Sequence, residues 1–316
     1  MQGSCGLVYD NFFQKHITGS GHPENYMRAS HVYQGLRKAN LLEEKLVFRP
    51  KPINEELLTL AHEENYLKQA KKDIVNGESS LSTGDTAICP DSWEVACLAA
   101  GAAMKAVDLL FSDKINRCFC PTRPPGHHAN SFRGMGFCIF NHVALAARYA
   151  QKKYKVGKIL IVDWDVHHGN GTQDIFYEDD SIFFCSTHQA PWYPGTGSKD
   201  ETGKGRGLGT NLNFPFPAGS GNKEIVDYAI GQELLKKMNS FKPELILISA
   251  GFDSREGDPL GQFKLQDHDF AQMTEILGKL SEEFCNGKII SILEGGYNFD
   301  GLLKASIAHF EALSSK

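Results

Sequence analysis

Two histidine doublets carry the clearest chemical signal in this chain, one in "RPPGHHAN" from Arg123 to Asn130 and one in "VDWDVHHGNG" from Val162 to Gly171. Neighbouring side chains point to opposite faces of a strand and diverge by about 100° on a helix. A doublet behind Pro-Pro-Gly therefore reads as a loop that aims His127 and His128 at one target. In the second stretch an extended backbone would put Asp163, Asp165 and His167 on one face, with Trp164 and Val166 turned away. Asp165 and His167 then offer one hard oxygen and one borderline nitrogen, a set suited to zinc and compatible with iron or cobalt. Asp253, closing "ELILISAGFD", is the best third ligand, because a carboxylate buried there without a cation would be costly. Two carboxylates and one neutral imidazole balance a divalent ion and leave a position open, as catalytic sites do. A lone Asp-x-His more often caps a turn; acids on several strand ends beside two doublets favour the metal.

The elements that must position these residues follow from the apolar pattern. "KILIVDWD" (158–165), "SIFFCST" (181–187), "ELILISAGFD" (244–253), "KIISILEGG" (288–296) and the weaker "RCFCP" (117–121) read as buried strands. Helical periodicity covers 93–111, 141–153, 223–241, 267–284 and 301–313. This alternation predicts an α/β chain, a central, mostly parallel β-sheet with helices on both faces, and one domain over 1–316. The glycine-rich stretch 195–221 reads as the longest irregular segment. In such sheets ligands gather beyond the carboxyl ends of the strands, which is where the informative residues stand.

Composition narrows the function classes. The 316 residues are 41% apolar and 22% charged with a net charge of -5, so bulk electrostatics gives no reason to expect a nucleic acid. "VACLAAGAAM" is too short to span a membrane, and "MQGSCGLVYD" shows no basic flank before an apolar run. The expected compartment is the cytoplasm. Eight cysteines are scattered without a C-x-x-C pair and read as reduced, buried thiols. His16, His62, His142, His188, His268 and His309 read as ordinary, and His22 as a neighbour of the site entrance.

Six co-linear stretches, "GSGHPENYMRA", "RPPGHHAN" with "GMGFCIFN", "VDWDVHHGNGTQDIFY", "STHQAPWYPGTG", "SAGFDSREGDPLG" and "EGGYN", resemble the zinc-dependent histone deacetylase and acetylpolyamine amidohydrolase superfamily from about residue 20 to 300. The "HHGNG" spelling is similar to its class II branch. The resemblance implies an arginase/deacetylase-like fold, a metal-dependent hydrolase of linear amide C–N bonds, and one Zn2+ on Asp165, His167 and Asp253. It implies that His128 is the general base, that it or His127 protonates the departing amine, that Asp163 holds His127 and that Asn170 holds His128. A neutral partner should leave His128 with the lower pKa. Tyr297 would donate to the tetrahedral oxyanion; some members carry histidine there, so tyrosine implies an active enzyme. Phe137, with Gly136, and Tyr193 match the walls of the family's tunnel, Arg28 its internal arginine and Asp85 its rim acid. Potassium is implied at Asp163, Asp165, His167, Ser186 and Thr187, and at carbonyls around Phe176, Asp179 and Ile182.

Leu260 stands where a polyamine-selective branch carries glutamate, and leucine cannot attract a second ammonium. The expected substrate is therefore an acetylated lysine of a peptide or protein, with acetylpolyamine as the alternative. A two-manganese arginase-like ureohydrolase would need further acids where Gly169 and Asn170 stand. A catalytically silent acyl-lysine binding module would not need His127, His128 and Tyr297. The oligomeric state is not legible.

Overall fold

The computed structural model describes residues 5–315, so residues 1–4 of the stretch read for a leader lie outside it. Eight strands, β1 Cys5–Val8, β2 Val47–Phe48, β3 Arg117–Cys120, β4 Ile159–Asp163, β5 Ile182–Gln189, β6 Asn211–Phe216, β7 Leu245–Ala250 and β8 Ile289–Leu293, form one sheet. Their order is β2-β1-β3-β8-β7-β4-β5-β6, and every neighbouring pair is parallel. "ILIVD", "LILISA" and "IISIL" are buried along their whole length, which is why they read as unbroken apolar runs. Helices α1 Arg28–Lys38, α2 Glu64–Val75, α3 Ser92–Phe111, α4 His142–Tyr154, α5 Asn170–Phe176, α6 Leu235–Phe241, α7 Asp267–Phe284 and α8 Phe299–Ser314 cover both faces. None of the described helices is long and apolar enough to cross a membrane.

The chain passes from β3 to β4 over two positions that β7 and β8 fill later. The four strands whose ends carry the chemical motifs, β3, β8, β7 and β4, are therefore the contiguous centre of the sheet. That topological switch gathers their carboxyl ends over one crevice.

Three departures from the sequence reading have local causes. The glycine-rich stretch contains β6, an edge strand, where Pro215 is tolerated because one side of the ladder is unpaired. The run 223–241 is not one α-helix: Lys223–Leu234 is wound in wider π turns before α6 begins. The strands read to 165 and 253 end at Asp163 and Ala250, so the residues beyond are loop.

Candidate metal and catalytic centre

Beyond β4 the backbone bends rather than extends. Asp163 Oδ1 accepts from Asp165 N at 3.1 Å, and Asp165 Oδ1 accepts from His167 N at 2.9 Å. Two successive side-chain-to-backbone turns, not strand alternation, bring Asp165 and His167 together. This corrects the extended-backbone expectation for 163–167 and keeps its outcome. Ligand atoms of Asp165, His167 and Asp253, all buried, lie within 4.8 Å of one another. His167 Nδ1 is 2.9 Å from Asp165 Oδ1 and 3.2 Å from Asp253 Oδ2.

The backbone holds these carboxylates from behind. Gly295 N donates to Asp165 Oδ2 at 2.8 Å, and Val166 N to Asp253 Oδ1 at 2.9 Å. A side chain at Gly295 would strike both acids, so only glycine admits that approach. Asp253 Oδ2 is buried, and apart from the 3.2 Å approach of His167 Nδ1 it has no polar partner. Burial raises the Asp253 carboxyl to about 7, with Asp165 adding repulsion. Burial alone would lower His167, but Asp165 and Asp253 outweigh it and lift the imidazole to about 10. A buried pair of carboxylates that asks its neighbouring imidazole for a positive charge is a donor set that fits a divalent cation.

The tandem histidines stand over this group in opposite surroundings. His127 Nδ1 lies 2.8 Å from Asp163 Oδ2, and its Nε2 lies 3.8 Å from Asp165 Oδ2. Burial works against its charged form, yet Asp163, Asp165 and Glu294 push its pKa well above the ordinary value. His128 Nδ1 lies 2.7 Å from Asn170 Oδ1 at the start of α5. Burial, then the proximity of His127 and His167, drives its pKa well below the ordinary value. The two rings are 4.1 Å apart. One imidazole is set to hold a proton and the other to accept one.

A cavity of about 240 Å³ reaches His128 and the metal-site residue His167, and is lined further by Asp85, Gly136, Phe137, Trp192, Tyr193, Leu260 and Tyr297. Phe137 meets Tyr297 and His22 edge-on, and Tyr193 meets His128 and His167 in the same way. Asp85 Oδ1 accepts from Gly136 N at 2.7 Å and lies 3.4 Å from the Tyr193 hydroxyl. Gly136 has a φ of 56°, and any Cβ there would collide with the His128 ring. Burial raises the Tyr297 phenol well above its usual value, so it stays protonated.

Arg28 is fully buried, which rules out a surface salt bridge. It donates from Nε to Gly296 O at 2.7 Å and from a terminal nitrogen to Glu294 O at 2.6 Å, and its guanidinium lies 4.8 Å from the Tyr297 ring centre. Asp163 and Ser186 pair across β4 and β5, and Thr187 Oγ1 is buried without a partner. Phe176, Asp179 and Ile182 lie apart from the cavity, along the turn from α5 into β5. His16, His62, His142, His188 and His309 are buried in ordinary side-chain or backbone contacts.

Several supporting residues escaped the sequence reading. Glu294 Oε2 accepts from Gly126 N at 2.6 Å and His127 N at 3.1 Å, which pins the "PPGHH" loop to the end of β8. Glu24 bridges Arg28 and Arg123 in complete burial. Asp258 holds the backbone of Tyr297, and Trp192 donates to Leu260 O at 2.8 Å. Acids directly after buried strands were the available signal for Glu294; nothing local marks Glu24.

Residues 22–313 match the family model described as the histone deacetylase domain. A probable deacetylase of Archaeoglobus fulgidus is 35% identical over 300 residues, covering 94% of this chain and 82% of its own. The polyamine deacetylase HDAC10 of Mus musculus is 38% identical over 289 residues, covering 88% of this chain and 43% of its own. The crystal structure of the HDA15 HD domain superposes with a TM-score of 0.92 at 34% identity, covering 99% of this chain and 88% of that one.

Proposed function

The chain belongs to the histone deacetylase family and is a deacetylase; on that premise we propose that it hydrolyses the acetyl amide on lysine side chains of peptides or proteins, using one zinc ion held by Asp165, His167 and Asp253. The reading takes 1–316 as one deacetylase domain. The observation that carries it is the pair of oppositely tuned imidazoles beside a buried three-ligand group whose His167, with His128, lines an aromatic-walled cavity.

Bound there, zinc supplies Lewis-acid polarisation of the acyl carbonyl and acidifies water. Phe137 and Tyr193 flank the alkyl stem by apolar burial and present the amide to His128. His128, neutral at physiological pH and fixed through Nδ1 by Asn170, accepts the water proton at Nε2 as the oxygen attacks. The Tyr297 phenol donates to the oxyanion that results. His127, kept charged by Asp163, gives its Nε2 proton to the departing amine. Arg28 steadies the Glu294–Gly296 backbone behind the site. Potassium beside Asp163, Ser186 and Thr187, with a second ion near Phe176, Asp179 and Ile182, belongs to the same reading.

Acetylpolyamine is the second reading, favoured by the HDAC10 likeness and opposed by Leu260, which puts an alkyl group where a second ammonium would need an acid. The test is turnover of an acetyl-lysine peptide against an acetylated polyamine, each with and without a hydroxamate. A higher kcat/KM for the peptide supports the first reading, and the reverse order replaces it with the second. No turnover of either, by protein carrying one zinc per chain, would overturn both.

A further inference from the structure

Tyr297 sits on a turn that cannot place itself. Gly295 and Gly296 precede it, and Gly296 has a φ of 115°, a conformation that side-chain-bearing residues rarely adopt, so no side chain on those two residues helps to fix the turn. Contacts from outside must fix the phenol. Arg28 and the Asp165 carboxylate hold the turn before the tyrosine, at Gly296 O and Gly295 N.

From the amide of Tyr297 onward the main hold comes from one carboxylate. Asp258 Oδ2 accepts from Tyr297 N at 2.7 Å and from Asn298 N at 3.0 Å. Its other oxygen, Oδ1, accepts from Leu260 N at 2.9 Å. Asn298 Nδ2 adds a parallel tie to Gly257 O at 3.0 Å. The same side chain thus holds a wall of the cavity by one oxygen and the turn of the phenol by the other. Leu260 is fixed from its carbonyl as well, by Trp192.

We propose that Asp258 is a positioning residue that locks the substrate wall at Leu260 to the oxyanion donor Tyr297, so that the stem-binding surface and the reacting end keep one spacing. The inference rests on the proposed deacetylase reading. It differs from a purely structural role, in which Asp258 would only satisfy the backbone amides just ahead of α8 and stabilise that helix start.

Asp258→Asn tests it, because the amide can accept on one side only and must release either Leu260 or Tyr297. In an otherwise intact protein kcat for an acetyl-lysine peptide should fall roughly 10- to 100-fold, the range for a reacting group displaced by about 1 Å. In a Tyr297→Phe background the same change should cost less than about twofold, since the hydroxyl it positions is gone. An equal loss in both backgrounds, or near-normal kcat in Asp258→Asn, overturns the proposal. Hydrogen exchange gives a readout that needs no activity: either the Leu260 amide or the Tyr297 and Asn298 amides should lose protection in the variant, and unchanged protection at all three overturns the tie. If Asp258→Asn does not fold, Asp258→Glu, which keeps the charge and moves both oxygens, takes its place with the same criteria. Absent turnover by the unaltered protein would sink the deacetylase reading alone, and exchange would then decide the tie.

Discussion

His128 Nδ1 meets the side-chain carbonyl of Asn170 at 2.7 Å, while its neighbour His127 faces the Asp163 carboxylate, so the charge that raises one buried imidazole has no counterpart at the partner of the other. Asn170→Asp would put a negative charge beside His128 Nδ1 and raise the imidazole's pKa. A base with a raised pKa is lost at higher pH as the solution is acidified. The acid limb of kcat/KM should therefore move upward, with activity near pH 6 falling more than at pH 8. A limb that stays in place would show that His128 is not the titrating base.

Removing the donor or the base should stop chemistry without disturbing the fold. Tyr297→Phe is expected to lower kcat by roughly 10² to 10³, about 2.7 to 4 kcal/mol, and His128→Ala by about 10² to 10⁴. Thermal melting and metal content, measured beside steady-state rates, should remain near the parent. Either variant turning over at the parent rate would remove that residue from the mechanism.

Leu260→Glu would place an acid at the cavity wall. The ratio of acetylspermidine to acetyl-lysine peptide kcat/KM should rise, because a carboxylate attracts the second ammonium that leucine ignores. An unchanged ratio would mean that selectivity is set elsewhere on the rim.

Acid should destabilise the protein from well above the carboxylate range. His62 and His142 are held neutral by burial, down to about 4, and His16 and His309 to about 3, against an ordinary 6.5. Below 6.5 the unfolded chain binds protons that the folded chain refuses, so stability falls with pH. Glu24 extends the same trend: burial would raise it, but Arg123 and Arg28 outweigh burial and hold it at about 2, so its contribution, full above about 4.5, fades as pH drops towards 2. Melting the Asp253→Ala variant separates this from loss of metal. Its Tm should drop steadily from pH 7 to pH 5; a flat profile would contradict neutral burial of these imidazoles.

Much of the candidate site was legible because the tandem histidines, the three ligands and Tyr297 each come soon after an apolar run, and a parallel sheet sends such positions to one edge; Arg28, Asp85 and Phe137 carry no such signal. The central strands could be read for the same reason. β1, β2 and β6 could not: β2 is only two residues long, β1 offers just four residues with a glycine among them, and β6 hides behind Pro215 and surrounding glycines. The bend at 163–167 depends on aspartate side chains folding back on the backbone, which no alternation pattern conveys. Glu24 gains its meaning from Arg123, 99 residues away, and Asp258 from Tyr297, so each looks like any surface acid until the chain closes.

Counting metal ions per chain in the purified protein and in Asp253→Ala reaches the centre of this account most directly. One zinc per chain in the parent and almost none in the variant is the expected result. Stoichiometric zinc retained without Asp253, or two ions in the parent, would contradict it.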